Sequence, residues 1–325
     1  MNESITPIFL FSLPRSGSTL AQRVLSTHES IATVSEPWIL LPLLYPLKGG
    51  GVYTEYNHGS LLVAFEDFCE TLPNKRDDYI AEVGKMALSL YKKSGGNAPY
   101  FLDKTPRYHT ISKYIVKAFP DGKFIFLWRH PLANAASILE TFSKGRWNLY
   151  RYKIDLYRGL SCLIKTYLNN PDACAVRFED LLAGNKQESW ERIFAYLGIE
   201  FDPSMLERFS SSALRGRWGD TKGIKQYAEI STEPLEKWKR TMGNPIRKIW
   251  CRRYLKWIGR ERLAAMGYDY DELLVELKEI PINLRYFLDD LVLIPFGLIY
   301  CWFEPYVMLQ KFKYIFAWRY VNVHR

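Results

Sequence analysis

Ile5–Leu20 reads ITPIFLFSLPRSGSTL. Its first eight residues form an apolar run that ends in a Pro-, Gly- and Ser-containing loop, the pattern of a short buried strand. Ser18–Thr27 then reads as a helix, which leaves LPRSGSTL (Leu13–Leu20) as the junction between strand and helix. Gly17 lets the backbone turn tightly. Ser16, Ser18 and Thr19 bring hydroxyls and N–H groups to a helix N-terminus, where partial positive charge favours an anion. Arg15 adds a fixed positive charge. No Lys follows the Gly, so the loop lacks the GxxxxGK[ST] pattern of a nucleoside triphosphatase.

Outward from this loop, strands alternate with helices. Tyr100–Asp103, Lys123–Trp128 (KFIFLW) and Ala173–Phe178 (ACAVRF) read as strands. Trp38–Leu47, Leu61–Leu72, Arg76–Lys93, Arg107–Ala118, a segment from Pro131, and Leu149–Leu168 read as helices; Leu47–Ser60 is a Gly-rich loop. Beyond Phe178 the pattern is helical, with a loop across Ser210–Ile230. Such alternation predicts an α/β fold of three layers, a central parallel sheet flanked by helices, with ligands at the carboxyl ends of the strands.

The chemistry-bearing residues cluster at those predicted ends. LWRHPLANAAS (Leu127–Ser137) puts Arg129 at a strand edge, opens a helix with Pro131 at its first position, and sets Ser137 two turns further on. An Arg and a Ser so arranged suit a second phosphate. FLDKTP (Phe101–Pro106) puts Lys104 just past another strand, and SEPW (Ser35–Trp38) offers Glu36 as a base that Pro37 and Trp38 would partly desolvate. His28, in STHES, is a rival base with a more natural role in capping the first helix. His109 and His130 lie near strand ends as supporting groups. No metal-ligand spacing is visible.

These motifs resemble the sulfotransferases that use 3′-phosphoadenosine 5′-phosphosulfate (PAPS), in style the glycan and protein-tyrosine members and a soluble bacterial type. The likeness extends to VRFEDLLAG (Val176–Gly184), WGDTKGIKQY (Trp218–Tyr227) and EKWKRTM (Glu236–Met242), and covers residues 5–270 in order. It implies a P-loop-like fold. It also implies a 5′-phosphosulfate held by Arg15, Ser16, Gly17, Ser18 and Thr19, and a 3′-phosphate held by Arg129 and Ser137. Lys104 would then face the bridging oxygen, with Arg15 as a second catalytic cation and Glu36 as base for the acceptor. Phe178 and Trp218 would clamp the adenine, and Lys222 and Gly223 would close over the 3′-phosphate. Phe178 stands where the family often has Tyr. PAPS is the implied co-substrate and PAP the product, with no metal. The expected acceptor is a hydroxyl on a glycan or glycolipid, with tyrosine or a small molecule as the alternative. From other classes, a P-loop kinase would need a Walker Lys and an acid at a strand end. An anion-binding module would leave Lys104 and Glu36 without a role.

Composition sets the remaining bounds. The 325 residues carry a net charge of +9 and are 48% hydrophobic, which excludes a disordered chain. Residues 208–262 hold 15 Lys or Arg and 5 acids, so the basic excess is local. Such a cluster is either a solvated helical face or a surface that draws anions; for the latter, phosphorylated cofactor, acidic glycan or anionic lipid is expected rather than nucleic acid. Five scattered Cys without a CxxC pair point to a reducing, cytoplasmic setting. Residues 1–12 hold one acid and no base, so no signal peptide is expected. Residues 1–280 are read as the sulfotransferase-like domain and 281–325 as an aromatic-rich helical extension. Within the latter, residues 286–320 carry twelve aromatics, and Leu291–Phe303 is uncharged, with Pro295 and Gly297 breaking the run. A core-packing helical pair, an interfacial contact on the inner face of a membrane, and a membrane span are three open readings.

Overall fold

The structure is a computed structural model and describes residues 5–48, 58–184, 186–211, 214, 233–303, 308, 309 and 312. Strand β1 (Thr6–Phe11) leads into α1 (Ser18–Leu25), β2 (Ile31–Thr33), α2 (Leu40–Leu44), α3 (His58–Glu70) and α4 (Arg76–Gly95). Next come β3 (Tyr100–Asp103), a 3-10 turn at Pro106–Thr110, and α5 (Ser112–Ala118). β4 (Lys123–Trp128) enters α6 (Pro131–Ser143), and α7 (Leu160–Leu168) precedes β5 (Cys174–Arg177). The further helices used below are α8 (Phe178–Leu182), α9 (Lys186–Leu197), α10 (Met205–Arg208), α11 (Glu233–Met242), α12 (Pro245–Ile258), α13 (Arg260–Ala265), α14 (Tyr270–Glu279) and α15 (Phe287–Phe303).

The sheet has the order β2-β3-β1-β4-β5, and all its pairings are parallel. Phe9 pairs with Asp103, Phe11 with Phe126, and Trp128 with Arg177, so the carboxyl ends of β3, β1, β4 and β5 open on one edge. Side chains alternate between the two faces. Phe9, Phe11, Phe101, Phe124, Phe126 and Trp128 turn to a core shared with α4 and α5. Ile8, Leu10, Leu102, Ile125, Leu127 and Val176 turn to a second, mostly aliphatic core shared with α1, α8 and α9. Each fully buried side chain of this kind contributes about 1.5–3 kcal/mol, so both faces hold the sheet edge rigid. The chain leaves β1 for the β2 side and crosses back to β4, which makes β1 the point where strand order reverses and a crevice opens.

Several elements depart from the sequence reading. β2 is a strand where none was expected: Ile-Ala-Thr is too short to display alternation, yet it pairs with β3 on the sheet's outer side. β5 ends at Arg177, so Phe178 opens α8 and does not close the strand. The expected long helix at Leu149–Leu168 is a 3-10 turn (Leu149–Tyr152), a π-helical segment (Ile154–Gly159) and α7. Pro295 does not break α15, which runs through it. Gly297 lets the Tyr150 ring lie against that helix, since a Cβ there would sit 2.4 Å from Tyr150 Cδ1. Phe287–Phe303 is thus one continuous helix seated on the body; the rest of the expected pair falls on residues 304–325, most of which lie outside the described residues.

Candidate functional site

The loop after β1 is held in a strained, defined shape. Arg15 has φ 68° and Gly17 φ 88°, and the Ser16 N–H donates to Leu13 O at 3.3 Å. Positive φ costs Arg15 energy that a non-Gly residue keeps only where surroundings enforce it. At Gly17 a side chain is impossible: a Cβ would lie 2.1 Å from Phe178 Cε2. Gly17 is the N-cap of α1 and carries no capping side chain, so the first-turn N–H groups of Ser18, Thr19 and Leu20 point out of the helix toward any incoming anion. Ser16 and Ser18 are buried; Arg15 and Thr19 are half-buried.

Arg129 leaves the end of β4 and reaches this loop. Its Nη1 donates to Arg15 O at 2.6 Å, and its guanidinium carbon stands 4.8 Å from the centre of the Phe178 ring. Asn134, on the first turn of α6, donates to Pro14 O at 2.9 Å and to Ser16 Oγ at 3.0 Å. The loop after β1 and the Arg after β4 are therefore one unit. Ser137 lies three residues beyond Asn134, on the same helix face, half-buried. Phe178, one of the two residues expected to clamp the adenine, is a buried wedge against Gly17 and beneath Arg129. Behind the loop, Ser16, Trp128, Arg129, Asn134, Tyr254 and Met266 line a cavity of about 10 Å³, room for one water and no more.

On the other side of β1, Lys104 follows β3. Its Nζ donates to Glu36 Oε1 at 2.8 Å, with the two side chains 1% and 10% exposed. Trp38 Nε1 donates to Glu36 Oε2 at 3.1 Å, and Trp38 itself has φ 59°. The segment that carries Glu36 is fastened to the phosphate-loop helix by Gln22. The Gln22 amide nitrogen lies 2.9 Å from Thr33 Oγ1, 2.7 Å from Val34 O and 3.0 Å from Ser35 O. Asp103 is buried and accepts from Tyr91 OH at 2.6 Å, Thr105 Oγ1 at 2.9 Å and Tyr108 OH at 3.2 Å. Tyr108 OH in turn accepts the Leu40 N–H at 3.2 Å, so α2, just past Glu36, is tied to the strand that carries Lys104. Burial pushes the Asp103 carboxyl up to about 6, against the pull of those three hydroxyls and the Lys104 charge.

Three described histidines make structural contacts. His28 Nδ1 accepts the Ser30 N–H at 3.1 Å. His109 Nε2 is 2.6 Å from buried Asp155. His130 caps α6 by accepting the Ala133 N–H at 3.2 Å and meets Glu276 at 3.1 Å. Trp218, Lys222 and Gly223 lie outside the described residues. Sequence reasoning passed over Gln22, Asp103, Tyr108 and Asn134, the groups that position the site. For Gln22, Asp103 and Asn134 the signal was an amide or acid inside an otherwise apolar segment, such as Asn134 in LANAAS. Glu179, also passed over, accepts the His130 N–H at 2.9 Å and the Tyr268 OH at 2.7 Å, bracing the turn that carries Arg129.

Residues 7–203 match the sequence profile described as Sulfotransferase family. Nodulation protein NoeE of Sinorhizobium fredii is 30% identical over 191 residues, 57% of this chain and 43% of that one. The protein-tyrosine sulfotransferase of Drosophila melanogaster is 21% identical over 288 residues, 82% of this chain and 52% of that one. The chain thus spans about half the length of these two relatives. Among solved structures, the sulfotransferase domain from the curacin biosynthetic pathway superposes with a TM-score of 0.50 at 20% identity, over 72% of this chain and 90% of that one. The sulfotransferase domain from the Synechococcus PCC 7002 olefin synthase gives 0.50 at 22%, over 82% and 97%. These two likenesses show a shared P-loop-like α/β fold. The profile match spans more than half of the chain, and on that ground the protein belongs to the sulfotransferase family.

Proposed function

We propose that this protein transfers a sulfuryl group from PAPS to an acceptor hydroxyl, and that the acceptor is a glycan or glycolipid. The observation that carries the reading is the convergence on one sheet edge of the Arg129-tied loop and the Lys104–Glu36 pair. Bound PAPS supplies an activated sulfuryl group on a phosphate leaving group. The residues fit such a ligand: a bare turn in which no Cβ is tolerated at Gly17, outward N–H groups, and the cations Arg15, Lys104 and Arg129.

In this reading Ser16, Gly17, Ser18 and Thr19 hold the 5′-phosphosulfate through hydroxyls and N–H groups, and Arg129 with Ser137 holds the 3′-phosphate. Phe178 braces Gly17 and Arg129, which narrows its part as an adenine clamp to an indirect one. Lys104 has three donors and gives one to Glu36; the remaining ones are available to neutralise charge on the bridging oxygen as its bond to sulfur breaks. Glu36 takes the acceptor proton as the new oxygen–sulfur bond forms. Positioning and charge stabilisation do most of the work, as in phosphoryl transfer. No step uses a metal.

Two supports bear on acceptor and setting. The exposed basic residues Arg252, Arg253 and Lys256 suit an acidic glycan, and five free cysteines suit the cytoplasm. A tyrosine acceptor is the second reading, favoured by the match to protein-tyrosine sulfotransferase over 82% of this chain. The test is transfer of labelled sulfate from PAPS to a panel of glycan, lipid, tyrosyl-peptide and phenol acceptors, with Lys104→Met as control. Label on a sugar hydroxyl that disappears in the variant is expected. Label confined to tyrosyl peptides would replace the acceptor reading, and no transfer to any class would overturn the proposal.

A further inference from the structure

The face of α15 turned away from the protein is apolar and uncovered. Leu288 (76% exposed), Val292 (68%), Ile299 (57%) and Phe303 (67%) follow 4- and 7-residue spacings along one stripe, with Leu291 and Leu298 beside them. At 100° per residue these six fall within about half of the helix circumference. The opposite half is seated. Asp290 is buried against Arg247 and Asn244, and Gly297 meets Tyr150. A helix that is apolar all round is ordinarily buried all round; here one half faces outward, a patch of the kind that marks an interaction surface.

Three observations select the occupant. The six described side chains of the stripe carry no hydrogen-bonding group, whereas protein partners ordinarily meet through about one hydrogen bond per 100–200 Å²; lipid chains require none. Cations rim the helix. Arg146 lies 3.5 Å from Asp289, Arg285 donates to Tyr286 OH at 2.9 Å, and the Arg151 guanidinium stands 5.2 Å from the Tyr300 ring. Lys144, whose carbonyl accepts Tyr286 OH at 2.9 Å, is exposed beside them. The two acids of the helix are already paired with Arg146 and Arg247, so the rim presents positive charge. Finally, among the described residues no helix is long and apolar enough to cross a membrane. α15 is also pinned along its seated side by the buried Arg247–Asp290 pair, so it can lie in a surface but not turn upright through it.

We propose that α15 is an in-plane docking helix for anionic lipid surfaces, its apolar stripe entering the acyl boundary while Lys144, Arg151 and Arg285 meet headgroup phosphates. This goes beyond the sulfotransferase reading and stands independently of it.

The test is co-sedimentation of the full chain with vesicles of phosphatidylcholine and phosphatidylglycerol at 3:1, against phosphatidylcholine alone. Val292→Asp/Ile299→Asp serves as the variant, with circular dichroism and PAP binding as folding controls. The proposal expects binding to the mixed vesicles that weakens at least tenfold without phosphatidylglycerol and with added salt, and a further loss of about 100-fold or more in the variant. Absent binding, or binding that the folded variant retains, would overturn it. So would a wild-type dimer that the variant converts to monomer while vesicles bind neither, since the stripe would then be a homodimer face.

Discussion

Two buried ion pairs in this molecule look alike on a distance scale and differ in what they leave available. At the foot of α15, Arg247 and Asp290 are both fully buried and saturated. Arg247 Nε and Nη2 grip both carboxylate oxygens at 2.6 and 2.8 Å, its Nη1 donates to Thr241 O, and Nη2 also donates to Gly145 O. Asn244 adds a third donor to Asp290 at 2.6 Å. At the sheet edge, Lys104 gives one bond to Glu36, whose other oxygen takes Trp38. A saturated pair fixes geometry and repels ligands; an unsaturated pair at the mouth of a crevice holds charge ready for one. Burial alone does not distinguish a strut from a site. The count of remaining donors and the direction in which they point does.

The contrast breaks if the two pairs answer mutation in the same way. Glu36→Gln is expected to cut turnover by ~10²–10⁴-fold, the usual worth of a general base, with PAP affinity changed less than about twofold; single-turnover transfer of labelled sulfate measures it. Lys104→Met is expected to cost ~10²–10³-fold in kcat, as loss of a transition-state charge partner does, while the protein still melts cooperatively. Arg247→Met should do the reverse. It leaves Asp290 buried without its cation and should lower stability by about 3–5 kcal/mol, read by denaturant unfolding, with kcat per folded molecule near wild type.

Smaller effects sharpen the comparison. Asn134→Ala removes both bonds that hold Pro14 and Ser16 and should weaken PAP by roughly 5–20-fold, with a rise in KM for PAPS in steady-state assays. Asp103 gives the gentlest readout. Its folded value of about 6 lies above its ordinary 3.8, so the folded protein binds that proton more tightly than the unfolded chain. Its favourable contribution is present below pH about 4 and lost as pH rises to about 6. Asp103→Asn should flatten that decline in a melting-temperature profile. An unchanged slope would show that Asp103 does not titrate there.

The fold was legible where periodicity and punctuation were strong. Residues 6–11 and 123–128 are apolar runs closed by a Ser-Leu-Pro or Arg-His-Pro break, and both are strands. Three residues of β2 carried no period to detect, and Pro295 was overridden because tertiary packing on Tyr150 retains a helix that local propensity would end. At the site, the loop, Arg129 and Lys104 were visible as residue types at predicted strand ends, and Glu36 as an acid flanked by Pro37 and Trp38. What was not visible is the set of side chains that join them. Gln22, Asn134 and Tyr108 reach partners 11 to 120 residues away in sequence, and no local pattern encodes a partner that distant. Phe178 shows the same limit: its position one residue past β5 makes it the floor under Gly17, a contact that its aromatic character alone does not announce.

The account rests on one edge of the sheet holding both anionic ends of a single nucleotide, the loop after β1 taking one and Arg129 the other. Calorimetric titration of PAP into wild type and Arg129→Ala, without divalent metal, tests this most directly. The account predicts saturable one-to-one binding that the substitution weakens by roughly 10–150-fold, the worth of a charge-assisted contact. Equal PAP affinity in the two proteins would contradict it.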